Sequence, residues 1–312
     1  MNTSRRALTW TEANGQRLKQ VQHVLQQLRQ YWPLTLRQVY YQLVAAEYIE
    51  NRQSQYQALS KLLKQARIEG LIPWEAIEDR IRRHHDNTGY MNARQYVDTE
   101  LRYFLKDYQR NYQQGQPVYL EIWIEKDALS RIFESEADKY RVPVQVCRGY
   151  VSVSTLNDYR NRVIQVQHQA ARLQLPKPRP VLLYYGDFDP SGQQMFEATQ
   201  QTIEAELNLP GVEYSREALN VDDIHRYRLP HSPEALKKSD PRAARHQAQY
   251  GDLAVELDAL PPAVLVEKVR QAIERELDPA LLALARQLEA QEQHGILKLR
   301  TKVTELLDQE GH

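Results

Sequence analysis

A chain of 312 residues, 42% hydrophobic and 26% charged, is long enough for two compact domains and has the make-up of a globular protein. Its 41 Lys and Arg balance 41 Asp and Glu, which argues against a uniformly basic nucleic-acid coat. One cysteine, Cys147, excludes an intrachain disulfide and a Cys-rich zinc site. No apolar run approaches the roughly 20 residues of a membrane span, and the first residues lack an apolar signal core. A cytoplasmic protein with no membrane partner is the expectation.

In chain order, Leu18, Val21, Val24, Leu25 and Leu28 recur at helical spacing over 12–31, and Pro33 ends that helix. Thr35 is placed to cap a second helix, LRQVYYQLVAA. A third covers Ser54–Glu69, with Gly70 as its C-terminal cap. LIPWEAIEDRIRR follows, and the sum outlines a helix-turn-helix or winged-helix unit. Residues 86–100 read as turn-rich, and LRYFLKDYQRNY as another helix. The polar QQGQ at 113–116 marks a boundary between an N-terminal domain, 1–113, and a second domain, 116–312.

Beyond that boundary the periodicity changes. Strands are expected at 118–124, 142–147 and 181–186, with helices at 126–140, 156–173 and 193–207 between or after them. VELDALPP and the residues after it give a short strand and a further helix. Alternating strands and helices predict an α/β domain with a mostly parallel sheet. Charge is uneven here: eight Lys/Arg against one acid over 139–179, then nine acids against one base over 181–223. Such blocks serve as solvated surfaces, or as a phosphate-binding face beside a metal-binding one.

Glu125 follows an apolar strand, where open parallel sheets bind their ligands. GDFDPSG, 186–192, follows another and carries Asp187 and Asp189 two residues apart, on one side of an extended segment. Close carboxylates repel unless a cation neutralises them, and hard oxygen donors select Mg²⁺ or Mn²⁺. An EF-hand loop fails because its twelfth position is Ala198 and a strand precedes it. A phosphatase of the haloacid dehalogenase type also uses D-x-D after a strand, but Ser191 stands where Thr or Val is usual.

Glu125, then Arg148-Gly149-Tyr150, then Asp187-Phe188-Asp189 resemble the ordered motifs of the toprim domain. TLRQVYYQLV, 35–44, is similar to the tyrosine motif of the A-type subunit of topoisomerase VI and the related meiotic double-strand-break transesterase. The tail resembles their short bacterial and phage "topoisomerase mini-A" relatives. The resemblance covers about residues 30–200 and implies a winged-helix domain ahead of toprim. Tyr41 would attack a DNA phosphodiester to give a 5′-phosphotyrosyl link, Arg37 would stabilise the phosphate, and Glu125, Asp187 and Asp189 would hold Mg²⁺. Glu125 could instead shuttle a proton. The family joins tyrosine and acids in trans across a homodimer bound to double-stranded DNA. Arg52, Lys61, Lys64, Arg67, Arg80, Arg82, Arg83, Lys126 and Arg148 are the candidate DNA contacts, and Tyr40 the structural neighbour of Tyr41. No G-x-x-x-x-G-K-[ST] is present, so any ATPase of the topoisomerase B type would be a separate partner. Two alternatives stand beside this reading: a hydrolytic toprim nuclease, as in the Wadjet plasmid defence system, and a non-catalytic DNA-binding protein.

Overall fold

The structure, a computed structural model, describes residues 10–77, 89–231 and 243–309. Arg80, Arg82 and Arg83 lie outside the described residues. No helix among the described residues is long and apolar enough to cross a membrane.

Capping sets the N-terminal helices. Thr11 caps α1 (Glu12–Gln27) by accepting from the Asn14 amide. Thr35 opens α2 (Leu36–Ala45) with a capping box: its hydroxyl accepts from Gln38 N while the Gln38 side chain accepts from Thr35 N. α3 (Gln53–Ile68) ends at Gly70, whose φ of 71° is the left-handed C-terminal position that glycine adopts at little cost. α1 stops at Gln27 and continues only as a 3₁₀ turn, Arg29–Tyr31, short of the expected helix. An isolated parallel bridge joins Leu34 to Ile77.

α4 spans Ala93–Tyr103, capped by Asn92, and so begins earlier than expected. The residues after it leave the helical path because they dock on the last helix, α11 (Pro279–Gln309). The Tyr108 hydroxyl donates to Glu292, and Arg110 N and the Tyr112 hydroxyl donate to Glu289.

Four strands form one all-parallel sheet: β1 (Val118–Ile124), β2 (Val144–Val146), β3 (Arg179–Tyr185) and β4 (Glu213–Ala218), in the order β2-β1-β3-β4. The fold class is α/β. Every residue of β1 is buried, as a central parallel strand covered on both faces should be. α5 (Ser130–Ala137) and α10 (Pro262–Glu276) pack on one face and α6 (Val153–Arg172) on the other. α7 (Pro190–Gln201) leaves the end of β3, and α8 (Val221–Arg226) and α9 (Ala243–Tyr250) lie in the C-terminal third. The core that holds α5 and α10 is one cluster with buried residues of α1, α2 and α3, among them Val21, Val39 and Leu63.

β4 and α11 stand outside the elements expected from the sequence. β4 is EYSREA, a half-buried edge strand with no apolar run. α11 begins where Asp278 accepts from the amides of Ala280 and Leu281.

Candidate active site

Strand order places the site. From β1 the chain crosses to β2 on one side, and from β3 to β4 on the other, so the gap beyond the ends of β1 and β3 is the topological switch point of the sheet. Open α/β sheets bind ligands in that crevice. Glu125 leaves β1 there, with its amide donating to Tyr185 O on β3. Asp187 leaves β3 one residue after Gly186, and its amide donates to Glu125 Oε2 at 3.0 Å. A Cβ on Gly186 would lie 2.7 Å from Glu125 Oε2, and one on Gly192 would overlap the Asp187 carbonyl oxygen. Both glycines therefore keep the space beside Glu125 clear. Asp189 caps α7 by accepting from Gly192 N at 2.7 Å.

These carboxyls are held in an uneasy charge state. Burial, then the charge of Asp187, pushes Glu125 up to about 7. Burial likewise pushes Asp187 up to about 6, against the opposing pull of Lys126 and the Leu257 amide.

A second acidic segment, Glu256-Leu257-Asp258, completes the site. Phe188 and Val255 form an antiparallel bridge, with Phe188 N donating to Val255 O and Val255 N to Phe188 O. The bridge lays residues 256–258 against Asp187, whose Oδ1 accepts from Leu257 N at 2.8 Å. Lys126 Nζ stands among the acids, 2.9 Å from Asp187 Oδ1, 2.9 Å from Asp258 Oδ2 and 3.6 Å from Glu256 Oε2. Burial alone would lower its pKa, but these acids outweigh that and raise it, so it is a fixed cation. Its side chain points into the acids and is 15% exposed, and it also lines the cleft that opens beside Glu125.

Tyr41 and Arg37 reach the same cluster. The Tyr41 hydroxyl donates to Glu256 Oε2 at 3.0 Å, and Arg37 Nε pairs with that oxygen at 3.1 Å. Tyr41 is 4% exposed, and burial first, then Glu256, raises its phenol well above the ordinary range. Tyr40, equally buried, donates to Asn51 Oδ1 and packs edge-on to Tyr41 at 5.3 Å. Arg37, Tyr41, Lys126 and the strand-end acids thus meet within one chain.

Of the other expected DNA contacts, Lys64, Arg67 and Arg148 line a cleft that opens beside Glu125. Arg52 is exposed and paired with Glu50 at 2.9 Å, and Lys61 is exposed but off the cleft. The basic block does not act as one surface: Arg141, Arg148, Arg162 and Arg179 pair with Asp138, Asp127, Glu121 and Glu213.

Three site residues lie outside the set expected from the sequence: Glu256, Asp258 and Arg216. VELD carries a visible signal, two acids at spacing two after an apolar residue. Arg216 carries none. Its guanidinium donates to the carbonyls of Asp187 at 2.6 Å and Gly192 at 3.2 Å, clamping the D-x-D turn.

Among the described residues no three His, Cys, Asp or Glu side chains stand as a ready-made metal cage. The donor types still fit a hard divalent cation. Glu125 and Asp187 are crowded enough to hold protons, space beside Glu125 Oε2 is kept by glycines, and a lysine ammonium already balances Asp187. No protein-family model matches the chain, and a search of functionally described proteins gives no match.

Proposed function

We propose that this protein cleaves DNA phosphodiester bonds with the help of Mg²⁺ (or Mn²⁺) held by Glu125, Asp187 and Asp189, as its resemblance to toprim proteins and to the A-type subunit of topoisomerase VI implies. One observation carries the reading: at the sheet's switch point the Asp187 amide donates to the Glu125 carboxylate, and the Asp187 charge bears on Glu125, beside a cleft that Arg37, Lys64 and Arg67 line. When bound, the cation would neutralise the crowded carboxylates and polarise a phosphoryl oxygen.

The chain's own residues supply the rest. Arg37 is 43% exposed at its side chain, so its guanidinium can meet a phosphate while its Nε stays on Glu256. Tyr41 would pass its phenolic proton to Glu256, to which it already donates, and its oxygen would bond to phosphorus. The bond to the 3′ oxygen would break, leaving a 3′-hydroxyl once that oxygen takes a proton and a 5′-phosphotyrosyl link on the protein. α1–α3 would serve as the DNA-docking winged-helix unit. A homodimer would bring two such centres to a duplex and cut both strands.

A second reading, hydrolysis, is favoured by the burial of Tyr41 and its raised pKa. A water would then attack in place of the phenol, and Tyr41 would only orient Glu256 and Arg37.

Incubation of the full chain with supercoiled DNA and Mg²⁺, followed by denaturation, separates the routes. DNA trapped covalently on protein, and lost in Tyr41→Phe, supports the transesterase. Free ends that persist in Tyr41→Phe support hydrolysis. Absence of cleavage by the wild-type chain, or cleavage unchanged in Glu125→Gln, defeats both.

A further inference from the structure

The cleft beside Glu125 has a volume of about 900 Å³ and lies between α2, α3 and the loops that follow β1 and β2. Glu125 stands at one part of its wall and Trp74 at another. Tyr56, Ser60, Leu63, Lys64 and Arg67 line it at spacings of four, seven, eight and eleven from the first, which is one face of a helix.

Trp74 is 61% exposed, whereas Trp123 of the same chain is fully buried. An open tryptophan on a cleft wall forgoes a large apolar burial unless something covers it. The Arg67 guanidinium lies over its ring, with Cζ 4.5 Å from the centroid, and donates to the Trp74 carbonyl at 3.3 Å. Arg67 Nε is buried with no acceptor. Among the described residues neither Arg67 nor Lys64 has a carboxylate partner, in contrast to Arg37 and Arg148. A held aromatic plane next to cations without carboxylate partners is the combination that single-stranded nucleic-acid sites use: base on ring, phosphate on cation.

We propose that this cleft binds an unpaired stretch of nucleic acid, with a base stacked at Trp74 and the backbone running past Arg67 and Lys64 toward Glu125. About 900 Å³ is the upper end of single-ligand pockets, with room for a few stacked nucleotides but not for both strands of a helix. The favoured substrate is accordingly a duplex that carries a junction, gap or melted segment, as negative supercoiling supplies, over one paired throughout. This names the substrate class of the site proposed above and rests on that reading for its reacting end, but binding can be measured without cleavage.

The test uses the full chain in EDTA with fluorescein-labelled oligo(dT) of about 12 nucleotides, within the usual span of such sites, and a blunt duplex of equal length. Anisotropy should show the single strand bound at least about tenfold more tightly than the duplex. Trp74→Ala should weaken single-strand binding about tenfold, the loss expected from removing one stacked base, while Trp74→Phe keeps most of it. Should Trp74→Ala not fold, Lys64→Glu on the exposed face of α3 carries the test, with the same loss expected. Equal affinity for strand and duplex, or single-strand binding indifferent to Trp74→Ala and Lys64→Glu, overturns the proposal. Trp74-dependent binding in a chain that never cleaves DNA would leave this inference standing and defeat the cleavage reading. Cleavage that depends on Glu125 but ignores Trp74 and strandedness would do the reverse.

Discussion

The Tyr41 hydroxyl and the Glu256 carboxylate, 215 residues apart in sequence, meet at 3.0 Å. Arg37 shares the same carboxylate oxygen, and Lys126 approaches it from the sheet side. Glu256 is therefore the hinge between the N-terminal helices and the strand-end acids, and whatever Tyr41 does chemically is done with Glu256 as its partner.

That contact should be measurable as an interaction energy. Tyr41→Phe removes a hydrogen bond to a charged acceptor and should cost about 1.5–3 kcal/mol of unfolding free energy. Glu256→Gln should cost a comparable amount by unpairing Arg37. In a double-mutant cycle read by urea unfolding, the two changes together should cost less than their sum, by about 0.5–3 kcal/mol. Strict additivity would mean that the bond contributes nothing in solution.

Lys126 neutralises Asp187, Asp258 and part of Glu256 inside the fold. Lys126→Met keeps the bulk and deletes the charge, leaving buried carboxylates without a cation. Removing one partner of a buried ion pair costs about 3–5 kcal/mol, and thermal melts should show a matching fall. A divalent cation should recover more of the lost melting temperature in Lys126→Met than it adds to the wild type. Equal gains in the two proteins would show that metal and lysine do not address the same acids.

The acids also set a pH dependence. Glu125 is raised to about 7 and Asp187 to about 6, so the folded chain keeps protons that the unfolded chain has released. Their contribution to stability is intact below the ordinary carboxylate range and is lost as pH rises through about 6 to 7. A cation competes with those same protons. The melting-temperature gain on adding Mg²⁺ should be larger near pH 8 than near pH 5.5, and Glu125→Gln should remove most of it. A gain that is equal or greater at the lower pH would count against these carboxyls as the ligands.

Gly192 and Gly295 make a matched pair of tests. An alanine methyl at 192 would overlap the Asp187 carbonyl, a backbone atom that cannot step aside cheaply, and would sit 3.2 Å from Glu125 Oε2. Gly192→Ala should cost about 1–3 kcal/mol and weaken divalent-ion binding. Gly295 lies in α11 with open space where a methyl would stand, so Gly295→Ala should stabilise by about 0.5–1 kcal/mol through helix propensity. The two shifts in denaturation midpoint should have opposite signs.

Local chemistry is enough to read much of this protein from its residues. The Thr35 cap, Gly70, the apolar runs of β1 and β3, and the parallel α/β sheet all follow from patterns a few residues long. So do the candidate acids, because Glu125 and the Asp187-Phe188-Asp189 turn each sit at the end of an apolar strand. Edge strand β4 is hidden by its polar sequence, and residues beyond 104 leave their helical pattern because Glu289 and Glu292 of α11 offer partners the local sequence does not contain. Only the tertiary structure decided that Glu256, Asp258 and Lys126 belong with the strand-end acids, that Tyr41 and Arg37 close on the same carboxylate, and that Trp74 stands open on the adjoining cleft. Periodicity and capping act within a turn or two of the chain, whereas a shared carboxylate is fixed by strand order and by one bridge between Phe188 and Val255, which no local pattern encodes.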